Sequence, residues 1–245
     1  MFEEPYRWME AVSNRHSYVQ EKLQMGQPVL SVPFNEGVLM MGFAPQPGKI
    51  FEIYDRIALG GVGHPADVER LRMTLLEMAH LEGFNRSPED VTLARLLQFG
   101  VAPALKQNFE EIQRAPYIIR LLLIELDSEG SPNFFRVNYD GYWETFKKGT
   151  VISGTEKVMD WIQKEIETIP FATFTLEKAL EETCRLWVES KKEEGDANTN
   201  IPETLKEAFD QWHLEGAILL GNLERRAIYR TITKEEIKKL KSSAG

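Results

Sequence analysis

The stretch GQPVLSVPFNEGVLMMGF, Gly26 to Phe43, decides how the first sheet of the chain begins. Two apolar runs, PVLSVPF and VLMMGF, flank a short Asn-Glu-Gly segment, and this pattern predicts two antiparallel strands joined by a tight turn. Pro28 stands at the start of the first strand. Proline is tolerated there, although it removes one donor from the ladder of backbone hydrogen bonds. The stretch therefore predicts a β-hairpin that opens at a proline.

Apolar residues at helical spacing precede the hairpin. Residues 5–25 predict a helix that ends at Gly26, since glycine readily adopts the positive φ of a helix cap. The apolar side chains of this helix could form a buried stripe, and they are Trp8, Val12, Val19 and Leu23. A helix therefore enters directly into the first strand.

Strands and helices alternate in groups along the rest of the chain. Two further strands, KIFEIY and IALGGVG, follow the hairpin, and four more lie between residues 117 and 154. Helices are predicted over 64–83, over 87–113 with Ser87 as N-cap and a kink at Pro103, over 155–168, over 175–192, and after a capping box of Thr233 and Glu236. A polar loop over 191–203 precedes two last strands. Grouped strands and grouped helices favour an α+β fold, a four-layer αββα sandwich with antiparallel sheets.

Composition excludes several classes of protein. The chain has 245 residues, a formal net charge of -9 and 42% hydrophobic residues, which suits a globular protein without a nucleic-acid face. It has one cysteine, Cys184, so no disulfide can form within the chain, and a reducing, cytoplasmic setting is expected. The acidic N-terminus is unlike a secretion signal, and no apolar run is long enough to cross a membrane. We therefore expect a soluble protein that is not exported.

An ordered set of motifs resembles one known family. PYRWM opens the first helix, NEGVL lies in the hairpin, KIFEIYDRI and GVG follow, and YDG and EGAILLGNLERRAIYRTI come later in register. The set is similar to the α subunit of bacterial, actinobacterial-type 20S proteasomes, which have the Ntn-hydrolase fold. The resemblance implies one α-type domain over 1–245, with a gate segment and helix over 1–25, the sandwich over 26–233, and a C-terminal helix and tail over 234–245.

The resemblance also implies a role without catalysis. Catalytic β subunits begin their mature chain with a threonine whose own terminal amine acts as the base. Matching the first hairpins places that nucleophile position at Gln27, which has no hydroxyl or thiol. The implied role is a subunit of a seven-membered α ring that scaffolds β rings, controls substrate entry and docks a regulatory ATPase. The first helix is expected to support contacts between neighbouring copies, so that deleting residues 1–25 would yield monomers or aggregates.

A pocket for activator tails follows from the same resemblance. In the family, a lysine at the place of Lys49 lies between adjacent α subunits and receives the C-terminal carboxylate of an activator tail. The expected walls of this pocket are Gly26, Gln27, Gly63 and His64, and the two glycines would let a peptide backbone come close. The alternative for Lys49 is an exposed lysine at a strand end.

A gate at the ring's axis is the other implied site. In the family, the segment before the proline that opens the first helix closes the pore. The matching residues are Phe2, Glu3, Glu4 and Pro5. Glutamates repeated sevenfold around an axis repel each other, so we expect a leaky gate.

A hydrolase of the same fold is the alternative function. It would act alone through an unusual nucleophile such as Cys184, or the chain would form a ring without a β partner. Cys184 lies beside Leu186 and Trp187 on a predicted helix, which favours a buried, inert thiol. Ser31 and Ser153 lack a nucleophile-elbow motif and are expected to be structural. The four histidines are dispersed, so no metal is expected, and nothing implies a cofactor.

Overall fold

The computed structural model describes residues 5–45, 48–194, 201–222 and 228–243. Its strands are β1 (Val29–Phe34), β2 (Gly37–Ala44), β3 (Ile50–Tyr54), β4 (Ile57–Gly63), β5 (Ile119–Leu126), β6 (Pro132–Asn138), β7 (Trp143–Phe146), β8 (Thr150–Ile152), β9 (His213–Leu220) and β10 (Tyr229–Thr231). Its α-helices are α1 (Pro5–Leu23), α2 (Pro65–Asn85), α3 (Leu93–Leu96), α4 (Ala102–Glu110), α5 (Glu156–Thr168), α6 (Leu176–Glu189), α7 (Ile201–Gln211) and α8 (Lys234–Ser243). Within these residues no helix is both long and apolar enough to cross a membrane.

Two five-stranded antiparallel sheets stack face to face. One sheet has the strand order β10-β9-β2-β1-β8 and the other β3-β4-β5-β6-β7. Helices α5, α6 and α7 pack on the first sheet with α8 against α6, whereas α2 and α3 pack on the second. The apolar residues of both sheets and of the helices join in one core. This confirms the predicted α+β architecture with four layers.

The predicted hairpin forms with its turn at Asn35 and Glu36. Phe34 pairs with Gly37 across that turn. Pro28 lies just before β1, as predicted. Pro33 lies within β1 but beyond Ser31, the last residue that pairs with β8. In the alternating ladder of a two-residue hairpin, the N–H position of residue 33 points away from β2, so Pro33 removes no donor that β2 needs. Pro28 falls in the alternate register, opposite Phe43, whose carbonyl oxygen accepts from Lys49 Nζ.

Helix α1 is partly a core element, and here the sequence-based expectation was incomplete. Val19 and Leu23 are fully buried in the chain's own core, while Trp8 is 43% exposed. The helix ends at Leu23, and Gly26 is not among the glycines with positive φ. The expected glycine cap is therefore wrong. Only the first part of the predicted stripe remains available to a neighbouring copy.

The burial of α1 predicts a large loss of stability from one substitution. Leu23→Ala is expected to lower the free energy of unfolding by about 2–5 kcal/mol, because it leaves a cavity in a packed core. Met25→Ala is the matched control, since Met25 is 86% exposed and should change stability by less than about 0.5 kcal/mol. Urea unfolding of the two variants measures the difference. Equal midpoints would contradict the placement of α1 in the core.

The helix predicted over 87–113 is broken where the sequence suggested continuity. Ser87 donates to the carboxylates of Glu89 and Asp90 instead of capping a helix, and a single 3₁₀ turn follows. The helix proper begins with α3, where the carboxylate of Glu125 accepts the Leu93 N–H at 2.9 Å. A π turn over Leu97–Val101 then joins α3 to α4. The irregularity expected at Pro103 is this π turn, which ends just before the proline.

The polar loop predicted over 191–203 also needs correction. A 3₁₀ turn occupies Ser190–Glu194, and α7 begins at Ile201. Leu205 and Ala208 of α7 are buried, and α7 packs against α6 and β9. A helix that the sequence analysis missed therefore covers the first sheet.

Candidate functional site

A cavity of about 440 Å³ lies where α1 ends, β1 begins and β4 ends. Four of the five predicted pocket residues line it: Gly26, Gln27, Lys49 and Gly63. Lys22 adds a second positive charge, and the apolar part of the wall comes from Leu23, Met25, Val62 and Val68. Met25 and Gly63 are exposed and mark its mouth. The fold thus brings together residues that the sequence separates into three segments.

Lys49 is held inside this cavity by backbone carbonyls. Its Nζ donates to the carbonyl oxygens of Gln27 and Phe43, each at 3.2 Å. Burial lowers the pKa of Lys49 to about 8; the Glu215 carboxylate opposes this shift and the Lys191 ammonium adds to it. Lys49 is therefore a partly buried amine that lies on a cavity wall, and the alternative of a fully exposed lysine does not hold.

Glu215 fixes the loop that presents Lys49. Its carboxylate oxygens accept the backbone N–H groups of Gly48 at 2.5 Å and of Lys49 at 2.9 Å. Glu215 lies on β9 in the other sheet, so this contact joins the two sheets at the cavity. Sequence reasoning missed it because the two residues are 166 positions apart and no local pattern connects them.

Lys191 is the second residue that sequence reasoning missed. Its Nζ donates to Oε1 of Gln27 and lies 4.5 Å from the ring centre of Trp187 and 5.6 Å from that of Trp212. The Gln27 side chain is thereby tied to the turn after α6. The Gln27 amide group is thus engaged within the chain, its Oε1 by Lys191 and its Nε2 by the Met25 carbonyl oxygen at 3.4 Å.

The two glycines of the pocket are required by packing within the chain. Gly63 has a φ of +130°, and a Cβ there would lie 2.0 Å from the Ile118 carbonyl oxygen. A Cβ on Gly26 would lie 2.3 Å from Cγ1 of Val62. Either contact is far below ordinary van der Waals distance. Both positions therefore need glycine whatever binds in the cavity.

His64 stands apart from the cavity wall. The His64 side chain caps α2, where Nδ1 accepts the Ala66 N–H at 3.3 Å, and His64 is not among the lining residues. Pro5 is the first residue of α1, as predicted. The other gate residues, Phe2, Glu3 and Glu4, lie outside the described residues.

Other candidate nucleophiles are engaged in the core. Cys184 is 1% exposed, and burial raises the pKa of its thiol. Ser31 and Ser153 are fully buried and donate to the carbonyl oxygens of Leu39 and Gly26, respectively. Among the described residues, no group of three or more His, Cys, Asp or Glu side chains could hold a metal ion. The arrangement around Lys49 is suited to binding an anion, because Lys49 and Lys22 both line a cavity whose other lining residues are mostly apolar.

The fold agrees with comparisons to known proteins. The model of the family described as "Proteasome subunit" matches residues 26–202, and the chain belongs to this family. It is 26% identical to the proteasome subunit alpha of Rhodococcus erythropolis over 226 residues, which cover 90% of this chain and 85% of that protein. It is also 26% identical to the proteasome subunit alpha of Rhodococcus jostii and to that of Mycobacterium ulcerans. Each of these matches covers 94% of this chain, and they cover 85% and 84% of the two relatives, respectively.

Proposed function

We propose that this chain is a noncatalytic α-ring subunit of a cytoplasmic 20S proteasome core particle. In this role seven copies close into a ring through a repeated head-to-tail contact, scaffold the catalytic β rings, control substrate entry and dock a regulatory ATPase. The observation that carries the proposal is the Lys49 cavity, with its amine held between two carbonyls and its wall otherwise mostly apolar. Such a cavity suits the free carboxylate and the apolar side chains of a peptide C-terminus.

The energetics of docking favour a multivalent partner. One charge-assisted hydrogen bond from Lys49 to a carboxylate would contribute about 1.5–3 kcal/mol, which alone gives weak binding. An activator ring with several tails would occupy several cavities at once, and effective concentration would then multiply the single affinities. The weak binding expected at one cavity and the repetition of that cavity around a ring therefore both support an activator ring with several tails as the partner.

A second surface supports contact with a β ring. Phe84 and Phe99 are 87% and 70% exposed, and Leu81 is 61% exposed. We call the two phenylalanines, together with Leu81, the aromatic patch. Arg95 of α3 links the two segments that carry the patch. It pairs with Glu82 of α2 at 2.9 Å, and its guanidinium carbon lies 5.8 Å from the ring centre of Phe99 in the π turn. Exposed aromatic residues with arginine are typical of protein interfaces. Pro65 lines the Lys49 cavity and Phe84 lies about 28 Å further along α2, so the patch and the cavity occupy opposite ends of one helix.

The gate and ring contacts complete the proposal. The segment before Pro5, with Phe2, Glu3 and Glu4, is proposed to face the axial opening. Trp8 and Met9 are exposed on the first turns of α1 and are proposed to contact the neighbouring copy. Both assignments rest on the membership of the chain in the proteasome subunit family.

The absence of catalysis is tested with the purified chain. It should not hydrolyse fluorogenic peptides, because Gln27 is a tethered amide and the Cys184 thiol is buried. Hydrolysis that a Cys184→Ala change stops would instead support the alternative, a hydrolase that acts alone. No described feature favours that alternative.

Tail docking should depend on pH through Lys49. Only the ammonium form pairs with a carboxylate, and the pKa of free Lys49 is about 8. A bound carboxylate raises this pKa, so affinity should be constant below pH 8 and fall above it by up to about tenfold per pH unit until the pKa of the complex is reached. Fluorescence anisotropy of a labelled activator-tail peptide on the assembled particle measures this. A C-terminally amidated peptide is the control and should bind weakly throughout; a flat profile for the free acid would contradict the role of Lys49.

A further inference from the structure

We propose that Lys49 is a site of covalent acylation, at which small acyl groups are transferred from acyl phosphates to its amine. The geometry points to this chemistry in three ways: the amine lies on the wall of a cavity of about 440 Å³, its hydrogen bonds do not require a third proton, and an anionic donor meets positive charge at the entrance.

The hydrogen bonds of Lys49 allow a neutral amine. A neutral –NH₂ group can donate to both the Gln27 and the Phe43 carbonyl oxygens, and its lone pair then occupies the remaining position. Water stabilises the charged form of an exposed lysine and so opposes its deprotonation. Burial has removed much of this hydration from Lys49, so its deprotonation costs less free energy. Deprotonation therefore breaks none of the contacts described for its side chain.

The groups that face Lys49 set its charge state. Burial is the largest influence and lowers the pKa of Lys49; the Glu215 carboxylate on β9 raises this pKa, and the Lys191 ammonium in the turn after α6 lowers it. Glu215 is occupied by two backbone N–H groups, so it is a distant counter-charge and not a direct partner of Nζ. Burial, with a smaller effect of the Lys191 ammonium, outweighs the Glu215 carboxylate and lowers the pKa of Lys49 to about 8. At pH 7 about a tenth of Lys49 is then the neutral, nucleophilic amine.

The proposed reaction balances with an acyl phosphate as the co-reactant. The lone pair of Nζ attacks the acyl carbon and forms a C–N bond. The C–O bond to phosphate breaks, inorganic phosphate leaves with the bonding electrons, and the displaced proton goes to solvent. Leu23, Val62 and Val68 offer apolar wall to a short acyl chain. The product is a neutral amide.

Acetyl phosphate is the probe, and site-resolved mass spectrometry of the folded chain is the readout. Below pH 8, Lys49 is expected to be acetylated on the order of tenfold faster than exposed Lys157. The lowered pKa of Lys49 increases the fraction of neutral amine, and the weaker nucleophilicity of a less basic amine cancels only part of the resulting gain in rate. The preference should shrink as pH rises well above 8 and should vanish in urea. Equal rates for Lys49 and Lys157 in the folded chain would overturn the proposal.

The consequence for activator docking rests on the proposed function, whereas the acylation itself does not. If both hold, the acetylated particle loses tail-peptide binding in proportion to the occupancy of Lys49. Selective acetylation without loss of binding would support the acylation site and count against the docking role. A Lys49→Arg chain, in which the fast acetylated site should disappear, verifies the assignment.

Discussion

Lys49→Ala is expected to abolish stimulation of protein degradation by an activator ATPase while the α ring still assembles. The substitution removes the one ammonium held by the Gln27 and Phe43 carbonyls at the cavity wall. If each docked tail loses about 1.5–3 kcal/mol, single-site affinity falls roughly 10- to 150-fold. Because several tails dock together, the loss compounds around the ring. The measurement is activator-dependent degradation of an unfolded protein, with native mass spectrometry as the check on assembly.

Two matched variants separate charge from packing. Lys49→Met keeps the length of the side chain without its charge and should lose stimulation as completely as Lys49→Ala. Lys49→Arg keeps the charge, but its planar fork does not fit the place of a compact ammonium, so partial stimulation is expected. Lys157→Ala, at an exposed ion pair with Glu193, should behave as the parent protein. Full stimulation in the alanine variant of Lys49 would show that tails do not use this amine.

Charging the aromatic patch is expected to prevent α rings from joining β rings. Phe84→Glu combined with Phe99→Glu places two carboxylates where we propose that aromatic rings are buried on assembly. Burying a large apolar side chain contributes about 1.5–3 kcal/mol, and the contact is repeated around the ring. We expect the four-ring particle to fall by more than about tenfold, while the variant chain stays folded because both side chains are exposed in the isolated subunit.

The control places the same charges on the opposite helix layer. Thr168→Glu and Ala172→Glu alter exposed positions. Thr168 ends α5, which packs on the first sheet, whereas Phe84 lies on α2, which packs on the second sheet. This variant should co-purify with β subunits at the parent level. Co-purification of the Phe84 and Phe99 variant at that same level would show that β rings bind elsewhere.

Much of the fold could be predicted because its signals are local. The alternation of apolar runs and turns gave the hairpin of β1 and β2, and Thr233 and Glu236 form the predicted capping box with contacts of 2.7 and 3.2 Å. Helix α7 was missed although Leu205 and Ala208 have helical spacing, since the polar run ahead of it reads as loop. The π turn before Pro103 has no simple signature in the sequence.

The site could be predicted only in part. Lys49, Gly26, Gln27 and Gly63 were grouped through family motifs, and the cavity brings them together. Glu215 and Lys191 could not be found in this way, because they lie 166 and 164 positions from their partners and meet them only in the folded chain. Burial of Lys49 is likewise a property of the folded chain, so neither its pKa nor its reactivity follows from the sequence.

Co-expression of this chain with a β-type subunit, followed by native mass spectrometry and peptidase assay, tests the central claim most directly. We predict a four-ring particle with two rings of seven copies of this chain, whose peptidase activity disappears when the N-terminal threonine of the β subunit is changed to alanine. The same particle should keep its activity when Cys184 is changed to serine. Recovery of this chain without β subunits, or peptidase activity that survives loss of the β threonine, would contradict the account.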